Sequence, residues 1–179
     1  MKYIDLFAGI GGFHCALDKF EGFECVFTSE INEDAARVYF ENFPDCNLHG
    51  DIQKKETKDS IPKDFDLLCA GFPCQPFSKS GNLKGFEDTR GTLFFDILEI
   101  LKKHRPKYIL LENVSNLVSH DGGNTYKRIT ESLKEIGYII PEKPCIISPH
   151  NLGIPVLRPR VYIPGVLNCS SEIEIKINA

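Results

Sequence analysis

The sequence predicts an α/β fold built on a doubly wound, mostly parallel sheet. Short apolar runs alternate with segments in which apolar residues recur at helical spacing. A glycine-rich turn, AGIGG at residues 8–12, joins the first apolar run to the first helical segment. Strands and helices that alternate in this way are typical of parallel sheets with helices on both faces.

The predicted strands are apolar runs that carry β-branched or aromatic residues. In chain order they are residues 2–7, 25–30, 65–71 and 107–114, followed by the strand-like runs 138–148 and 160–167. The second strand ends on Glu30, and Glu112 lies near the end of the fourth. Because the carboxyl ends of parallel strands meet at one edge of a sheet, we expect these two acids at the same edge.

Helical spacing is found in four segments, which are residues 13–20, 32–43, 92–104 and 126–137. Asn32 is expected to cap the second helix, which should stop before Pro44. Basic residues fill the last turn of the third helix, where they complement the helix dipole. Gly137 ends the fourth, since glycine readily adopts the left-handed conformation of a helix terminus.

Length and composition indicate one domain, residues 1–179, with a hydrophobic core. With 42% hydrophobic and 26% charged residues, the chain has a soluble globular composition and no apolar run that could cross a bilayer. Its first residues lack a signal-peptide pattern, which predicts a cytoplasmic protein. The net charge of −4 argues against binding nucleic acid through bulk charge, so such a partner would need a local basic patch.

The seven cysteines form no CxxC pair, and the five histidines do not fall at metal-ligand spacing near them. The sequence therefore predicts no metal site and no disulfide framework. Mostly buried free thiols are expected, with one reactive exception.

The glycine turn and Glu30 together predict a ligand that resembles adenosine. The turn is not a dinucleotide fingerprint, because His14 stands where that pattern needs a small residue. Glu30 follows the turn by about 20 residues, where a carboxylate can accept both ribose hydroxyls. Tight packing would explain the turn equally well, and Glu30 could be an ordinary carboxylate at a helix start.

The GDI motif at residues 50–52 offers a third contact to the same ligand. Asp51 can accept a hydrogen bond from an exocyclic amine, and Ile52 can pack against a purine ring. A solvated turn is the simpler interpretation of Asp51 taken alone.

The longest stretch without periodicity runs from residue 71 to about residue 92 and begins GFPCQPFS. Long loops within a compact domain are usually functional. Pro73 and Pro76 remove backbone donors and restrict φ, so Cys74 is expected in an irregular, shaped loop. A cysteine exposed beside a ligand cleft can serve as a nucleophile.

Glu112 is expected beside Cys74, since strands that follow one another along the chain are often neighbours. A carboxylate next to a thiol raises the pKa of both groups, so Glu112 should hold a proton and donate it to the substrate. Arg158 and Arg160 precede the last strand and can orient Glu112 or bind a carbonyl or phosphate oxygen. A surface pair that lines a turn is the alternative for the two arginines.

The chain resembles the DNA (cytosine-5)-methyltransferases, especially the bacterial restriction-modification methylases. The resemblance covers nearly the whole chain and rests on motifs that occur in the family's order: DLFAGIGG, GDI, GFPCQPFS, GFEDTRGTLFFDIL, ENV and GIPVLRPRVYIPG. It implies a Rossmann-like fold of the S-adenosylmethionine-dependent methyltransferase type. It also implies methyl transfer from S-adenosylmethionine to carbon 5 of cytosine in double-stranded DNA, with the target base flipped out of the stack.

The resemblance also assigns roles to residues. Cys74 matches the nucleophile that adds to carbon 6 of cytosine, and Glu112 matches the acid at ring nitrogen 3. Arg160 matches the residue that binds the cytosine carbonyl, and Arg158 its supporting neighbour. Positions around the methyl donor are Phe7, Gly9, Ile10, Gly12, Glu30, Ile31, Asp51, Ile52, Pro73 and Leu93. The loop that closes over DNA includes Gln75, Ser78, Lys79, Ser80 and Arg90.

Two departures from the family stand out. Val156 replaces a glutamine that usually precedes the arginine pair, which removes a polar contact near the site. The family continues beyond residue 179 with a target-recognition domain and a segment that completes the donor pocket. We therefore expect an amino-terminal catalytic region, either truncated or one subunit of a split enzyme whose second polypeptide carries the recognition domain.

Three alternatives remain at this stage. The chain could be a donor-binding module without activity of its own, or a methyltransferase that acts on RNA. The single proline before Cys74 looks more like the bacterial DNA enzymes. A thiol-dependent redox enzyme is the third, but it lacks a resolving cysteine at suitable spacing.

Overall fold

The sheet of this chain is mixed, and its strands alternate with helices along the sequence. The computed structural model describes residues 1–73 and 93–168. The strands in these ranges are β1 Lys2–Leu6, β2 Glu24–Ser29, β3 Leu48–His49, β4 Leu67–Gly71, β5 Tyr108–Val114, β6 Tyr138–Ile139, β7 Cys145–Ile147 and β8 Arg160–Leu167. The helices are α1 Gly12–Leu17, α2 Glu33–Asn42, α3 Lys55–Asp59, α4 Leu93–His104 and α5 Asn124–Glu135.

The strand order is β3-β2-β1-β4-β5-β8-β6, with β7 also paired to β8. The first five strands of this order are parallel, whereas β8 runs antiparallel to β5, β6 and β7. The prediction of a doubly wound, mostly parallel sheet is confirmed for this part of the chain. The predicted strand at 138–148 is in fact the two short strands β6 and β7.

The two faces of the sheet have separate cores, because successive residues of a strand point to opposite sides. Ile4 and Leu6 of β1 are fully buried in the larger core, which includes apolar residues of α4 and α5. Tyr3 faces the other side and packs in a smaller cluster with residues of α1. Helices therefore cover both faces, as the alternating pattern requires.

The helix ends follow the local sequence closely. The Asn32 side chain accepts a hydrogen bond from the backbone amide of Ala35, which caps α2 as predicted. Gly137 has a φ of 100° after α5, in the left-handed region. Within residues 1–73 and 93–168, no helix combines the length and apolar character that crossing a bilayer would require.

Candidate active site

Strand ends of β1, β2, β4 and β5 and the first residue of β8 meet at one edge of the sheet, here called the site edge. It consists of residues 7–12, Glu30, Gly71, Glu112 and Arg160. β1 lies between β2 and β4, so the order of the strands reverses at this point. Ligands of open α/β sheets bind outside the carboxyl ends of the strands at such a reversal.

The glycine turn after β1 is fastened to the end of β2 and is open on its outer side. The amide of Ala8 donates to the carbonyl oxygen of Ser29 at 3.1 Å. Gly9 and Gly11 have φ values of 57° and 93°, which favour glycine. Apart from adjacent residues and the backbone of α1, no atom of the described residues would lie within 4 Å of a β-carbon on Gly9 or Gly12. The backbone here can therefore be approached closely from outside.

Glu30 links this turn to helix α2. Its Oε2 atom accepts from the amide of Gly9 at 2.7 Å, and its Oε1 atom accepts from the amide of Asn32 at 2.7 Å. An ionised carboxylate offers about four acceptor positions, so each oxygen retains capacity for a ligand hydroxyl. The structure thus places Glu30 directly against the turn, and a ligand shared by the two stays a prediction.

An aromatic cluster supports the turn from inside. His14 Nδ1 lies 2.6 Å from the hydroxyl of Tyr39, and the His14 ring stacks on Phe43 with centroids 3.9 Å apart. The Tyr39 hydroxyl also lies 3.0 Å from Oγ1 of Thr28. Burial lowers the pKa of His14, which favours the neutral ring. His14 therefore serves packing in α1, a role that the sequence pattern did not reveal.

The other residues predicted around the donor differ in their exposure. Ile10 and Ile31 are 65% and 67% exposed, which is unusual for isoleucine and leaves apolar surface beside the turn and after Glu30. Ile52 is only 3% exposed and packs in the larger core, so its side chain presents little surface. Asp51 Oδ1 accepts from the amide of Gln53 at 2.9 Å. The remaining positions are exposed or half-buried: Phe7, Gly12, Pro73 and Leu93.

Glu112 and Arg160 form an ion pair where β5 and β8 contribute to the site edge. Arg160 Nε donates to Glu112 Oε1 at 2.8 Å, and the two side chains are 19% and 23% exposed. Burial raises the pKa of Glu112, while the charges of Arg160 and Arg158 partly oppose this rise. The result is a carboxyl group with greater proton affinity than usual, held in a fixed orientation. Of the two predicted arginines, Arg160 contacts Glu112 directly, and Arg158 acts on it through its charge.

Gly71 lies beside this carboxyl group, because Glu112 pairs with Gly71 in the parallel β4–β5 ladder. A β-carbon on Gly71 would lie 3.4 Å from Glu112 Oε2. Glu112 is therefore next to the strand that leads to Cys74. The predicted residues Cys74, Gln75, Ser78, Lys79, Ser80 and Arg90 lie outside the described residues.

The connection into β8 is ordered by backbone contacts. The Arg158 amide donates to Oγ of Ser148 at 3.1 Å, and Ser148 is buried. The carbonyl oxygen of Val156 accepts from the amide of His150 at 3.0 Å. Although Val156 lacks the polar side chain that the family usually has there, its backbone still forms a hydrogen bond within the connection between β7 and β8. Arg158 itself is exposed, so it can reach a ligand outside the site edge.

Two buried polar residues on the strands that form the site edge were not predicted from the sequence. Asn113 is 2% exposed, and its Nδ2 atom donates to the carbonyl oxygen of Phe72 at 2.8 Å. Asp5 is completely buried, and neither carboxyl oxygen has a hydrogen-bond partner among the described residues. Burial, with a smaller effect of Glu30, raises the pKa of Asp5 well above its usual range. In residues 1–73 and 93–168, no cluster of three His, Cys, Asp or Glu side chains could hold a metal ion.

Comparison with known families shows which family this chain belongs to. A family model described as C-5 cytosine-specific DNA methylase matches residues 1–178. This chain belongs to the C-5 cytosine-specific DNA methylase family. The resemblance inferred from the motifs is therefore confirmed.

Curated proteins similar to this family member include two bacterial type II methyltransferases. M.HpaII of Haemophilus parainfluenzae is 53% identical over 164 residues, which cover 91% of this chain and 45% of the relative. M.HhaI of Haemophilus parahaemolyticus is 47% identical over 163 residues, which cover 91% of this chain and 48% of the relative. The chain thus spans about half the length of the curated relatives it matches.

Solved structures of other methyltransferases share the fold of this family member. The S. pombe Dnmt2 methyltransferase has a TM-score of 0.73 at 30% identity, over 97% of this chain and 53% of that one. A Spodoptera frugiperda DNMT2 mutant has a TM-score of 0.70 at 29% identity, over 95% of this chain and 51% of that one. These similarities confirm the Rossmann-like methyltransferase fold.

Proposed function

We propose that this chain carries the donor-binding and catalytic residues of a methyltransferase that acts on carbon 5 of cytosine in duplex DNA. The observation that supports this most is the Glu112–Arg160 pair at the site edge, beside the strand that leads to Cys74. The glycine turn and Glu30 lie along the same edge. A donor site and an acid site therefore share one crevice.

S-adenosylmethionine fits the donor part of this edge. The open turn at Gly9 and Gly12 admits close approach, and Glu30 has acceptor capacity for ribose hydroxyls. The exposed side chains of Ile10 and Ile31 offer apolar contact to the adenine ring. When bound, S-adenosylmethionine would supply an electrophilic methyl group. Asp51, Ile52, Phe7, Pro73 and Leu93 are proposed to complete the donor site.

The part of the site edge that holds Glu112 and Arg160 suits activation of a pyrimidine ring. In the proposed reaction the Cys74 thiolate adds to carbon 6 of cytosine, and the raised pKa of Glu112 lets its carboxyl group give a proton to ring nitrogen 3. Arg160 would bind the carbonyl oxygen of the ring while it orients Glu112. Carbon 5 becomes nucleophilic and takes the methyl group, and S-adenosylhomocysteine would be the leaving group. Loss of the carbon 5 proton to water and of Cys74 as its thiolate, with return of the nitrogen 3 proton to Glu112, then restores the neutral aromatic ring.

DNA is the proposed macromolecular partner, and its contacts are assigned to exposed Arg158 and to the loop with Gln75, Ser78, Lys79, Ser80 and Arg90. The names of the curated relatives, which are type II methyltransferases, support assignment to a restriction-modification system. A second polypeptide that supplies target recognition is part of the proposal. Arg158 has a side chain suited to a phosphate oxygen.

Tritiated S-adenosylmethionine and duplex DNA test this function. The chain should transfer label to DNA, and Cys74→Ala should abolish transfer while donor affinity, measured by calorimetry, stays within about twofold of the parent, because the cysteine contacts the base. Cys15→Ala is a matched control, since Cys15 is exposed on α1. Equal loss of binding and transfer in Cys74→Ala would contradict the proposed role.

Two further results would favour the alternative functions, an RNA methyltransferase or a donor-binding module. Transfer RNA that competes with DNA as acceptor would favour an RNA methyltransferase. Donor binding with no transfer to either acceptor would mean that the chain alone is a donor-binding module. In that case transfer should be measured again with a second polypeptide that supplies the carboxyl-terminal part of a relative.

A further inference from the structure

Asn113 joins the ends of β4 and β5 beyond the last pair of their ladder. The β4–β5 register ends with Gly71 opposite Glu112. One residue farther, Asn113 Nδ2 donates to the carbonyl oxygen of Phe72 at 2.8 Å, and Asn113 Oδ1 accepts from the amide of Val114 at 2.8 Å. The buried side-chain amide therefore continues the connection where backbone pairing has stopped.

Phe72 is itself firmly placed. It is 5% exposed, and its ring lies 5.8 Å from that of Phe94 on α4. In the sequence Phe72 stands two residues before Cys74, and Asn113 follows Glu112 directly. The hydrogen bond thus connects the neighbour of the acid to the end of the strand that leads to the nucleophile.

We propose that Asn113 is a positioning residue, whose amide fixes the end of β4 relative to Glu112. The inference rests on the proposed function and extends it to a residue that contacts neither base nor donor. A displacement of about 1 Å between reacting groups can lower a rate about 100-fold, so one buried hydrogen bond here can control turnover. Donor binding depends on the turn and Glu30, which Asn113 does not contact in the described residues.

Asn113→Asp tests this proposal, because aspartate has the same shape and changes its donor capacity with pH. Protonated, the new carboxyl group can donate to the Phe72 carbonyl oxygen; ionised, it can only repel it. Burial against a carbonyl oxygen raises the pKa of such a group. We expect methyl transfer to fall about 10- to 100-fold at pH of about 8, and this deficit to shrink severalfold at pH of about 5.5. Donor affinity should stay within about twofold of the parent.

Two controls isolate the role of the hydrogen bond. Asn116→Asp adds the same charge on the exposed turn that follows β5 and should leave the rate within about twofold of the parent. Asn113→Ala removes the amide without adding charge, so its deficit should be the same at both pH values. A deficit in Asn113→Asp that does not change with pH, or parallel loss of donor affinity, would overturn the proposal.

Hydrogen–deuterium exchange separates this inference from the proposed function, since it needs no turnover. The peptide that contains Phe72 and Cys74 should exchange about tenfold faster in Asn113→Ala than in the parent, with peptides of α5 unchanged. If the parent transfers no methyl group even with the second polypeptide added, but this difference is found, the proposed function fails while the positioning role stands. Equal exchange in both proteins would contradict the positioning role.

Discussion

Arg160 reaches Glu112 diagonally across the antiparallel β5–β8 ladder. Glu112 pairs with Tyr162, and Arg160 pairs with Val114, yet Arg160 Nε lies 2.8 Å from Glu112 Oε1. The two residues are on one face of the sheet and two positions apart in register, a span that a long side chain can bridge. Glu112 Oε1 is thereby engaged, while Oε2 lies toward Gly71.

Replacement of Arg160 by glutamine should raise the pKa of Glu112. The guanidinium favours the ionised carboxylate, so its loss leaves burial to act with less opposition. Titration of the Glu112 carboxyl carbon by ¹³C NMR measures this value without turnover. Arg158→Gln should give a smaller rise, because Arg158 acts only through its charge. An unchanged or lower pKa in Arg160→Gln would show that the pair does not govern protonation of Glu112.

Glu30→Gln should weaken S-adenosylmethionine binding by about 1–3 kcal/mol, the cost of losing hydrogen bonds to a charged group. The amide has only one oxygen, so it cannot accept from Gly9 and Asn32 and also serve a ribose as the carboxylate can. Calorimetry of donor binding measures the change. Glu33→Gln, on the exposed first turn of α2, is the matched control. Equal dissociation constants for parent and Glu30→Gln would remove Glu30 from the donor site.

Gly11→Ala should lower the free energy of unfolding by about 1–3 kcal/mol. Its new β-carbon would lie 2.6 Å from the Phe43 ring, at a φ of 93° that disfavours alanine. Chemical denaturation followed by circular dichroism gives the comparison. Gly12→Ala should be close to neutral, because its β-carbon would have no atom of the described residues within 4 Å apart from adjacent residues and the backbone of α1. Similar losses in both variants would contradict the proposed packing of the turn on α2.

Asp5→Asn should make the protein relatively more stable as pH rises. The folded-state pKa of Asp5 is raised above the unfolded value, so its stabilising contribution is present at low pH and is lost as pH rises through the folded pKa. Asparagine cannot ionise, and the stability difference between variant and parent should therefore grow by about 1 kcal/mol or more from pH of about 5 to about 9. Denaturation at several pH values tests this, with exposed Asp64→Asn as control. A difference independent of pH over this range would show that folding does not raise the pKa of Asp5.

Much of the architecture followed from apolar patterning. β1, β2, β4 and β5 each contain a short apolar run, and the cap at Asn32 is a local signal that needs no tertiary information. The shared edge of Glu30 and Glu112 follows from the geometry of parallel strands. The meeting of Glu112 with Arg160 was predicted because both flank strands that end or begin near a ligand crevice.

Other features depend on tertiary contacts that sequence patterns do not contain. β3 has two residues and α3 is the polar segment Lys55–Asp59, so neither shows a periodicity. Asp5 interrupts an apolar strand, and only its neighbours determine that it is fully buried. The hydrogen bond from Asn113 to Phe72 joins residues 41 positions apart. Placement of Cys74 and its loop stays a prediction.

The antiparallel direction of β8 determines which insertions and deletions in the chain would move Arg160 away from Glu112. Arg160 is the first residue of its strand, so its place is set by the residues after it, which pair with β5 from Val161 to Val166. Insertions or deletions in the connection between β7 and β8 would leave Arg160 beside Glu112. One residue inserted after Arg160, by contrast, would turn its side chain to the opposite face of the sheet.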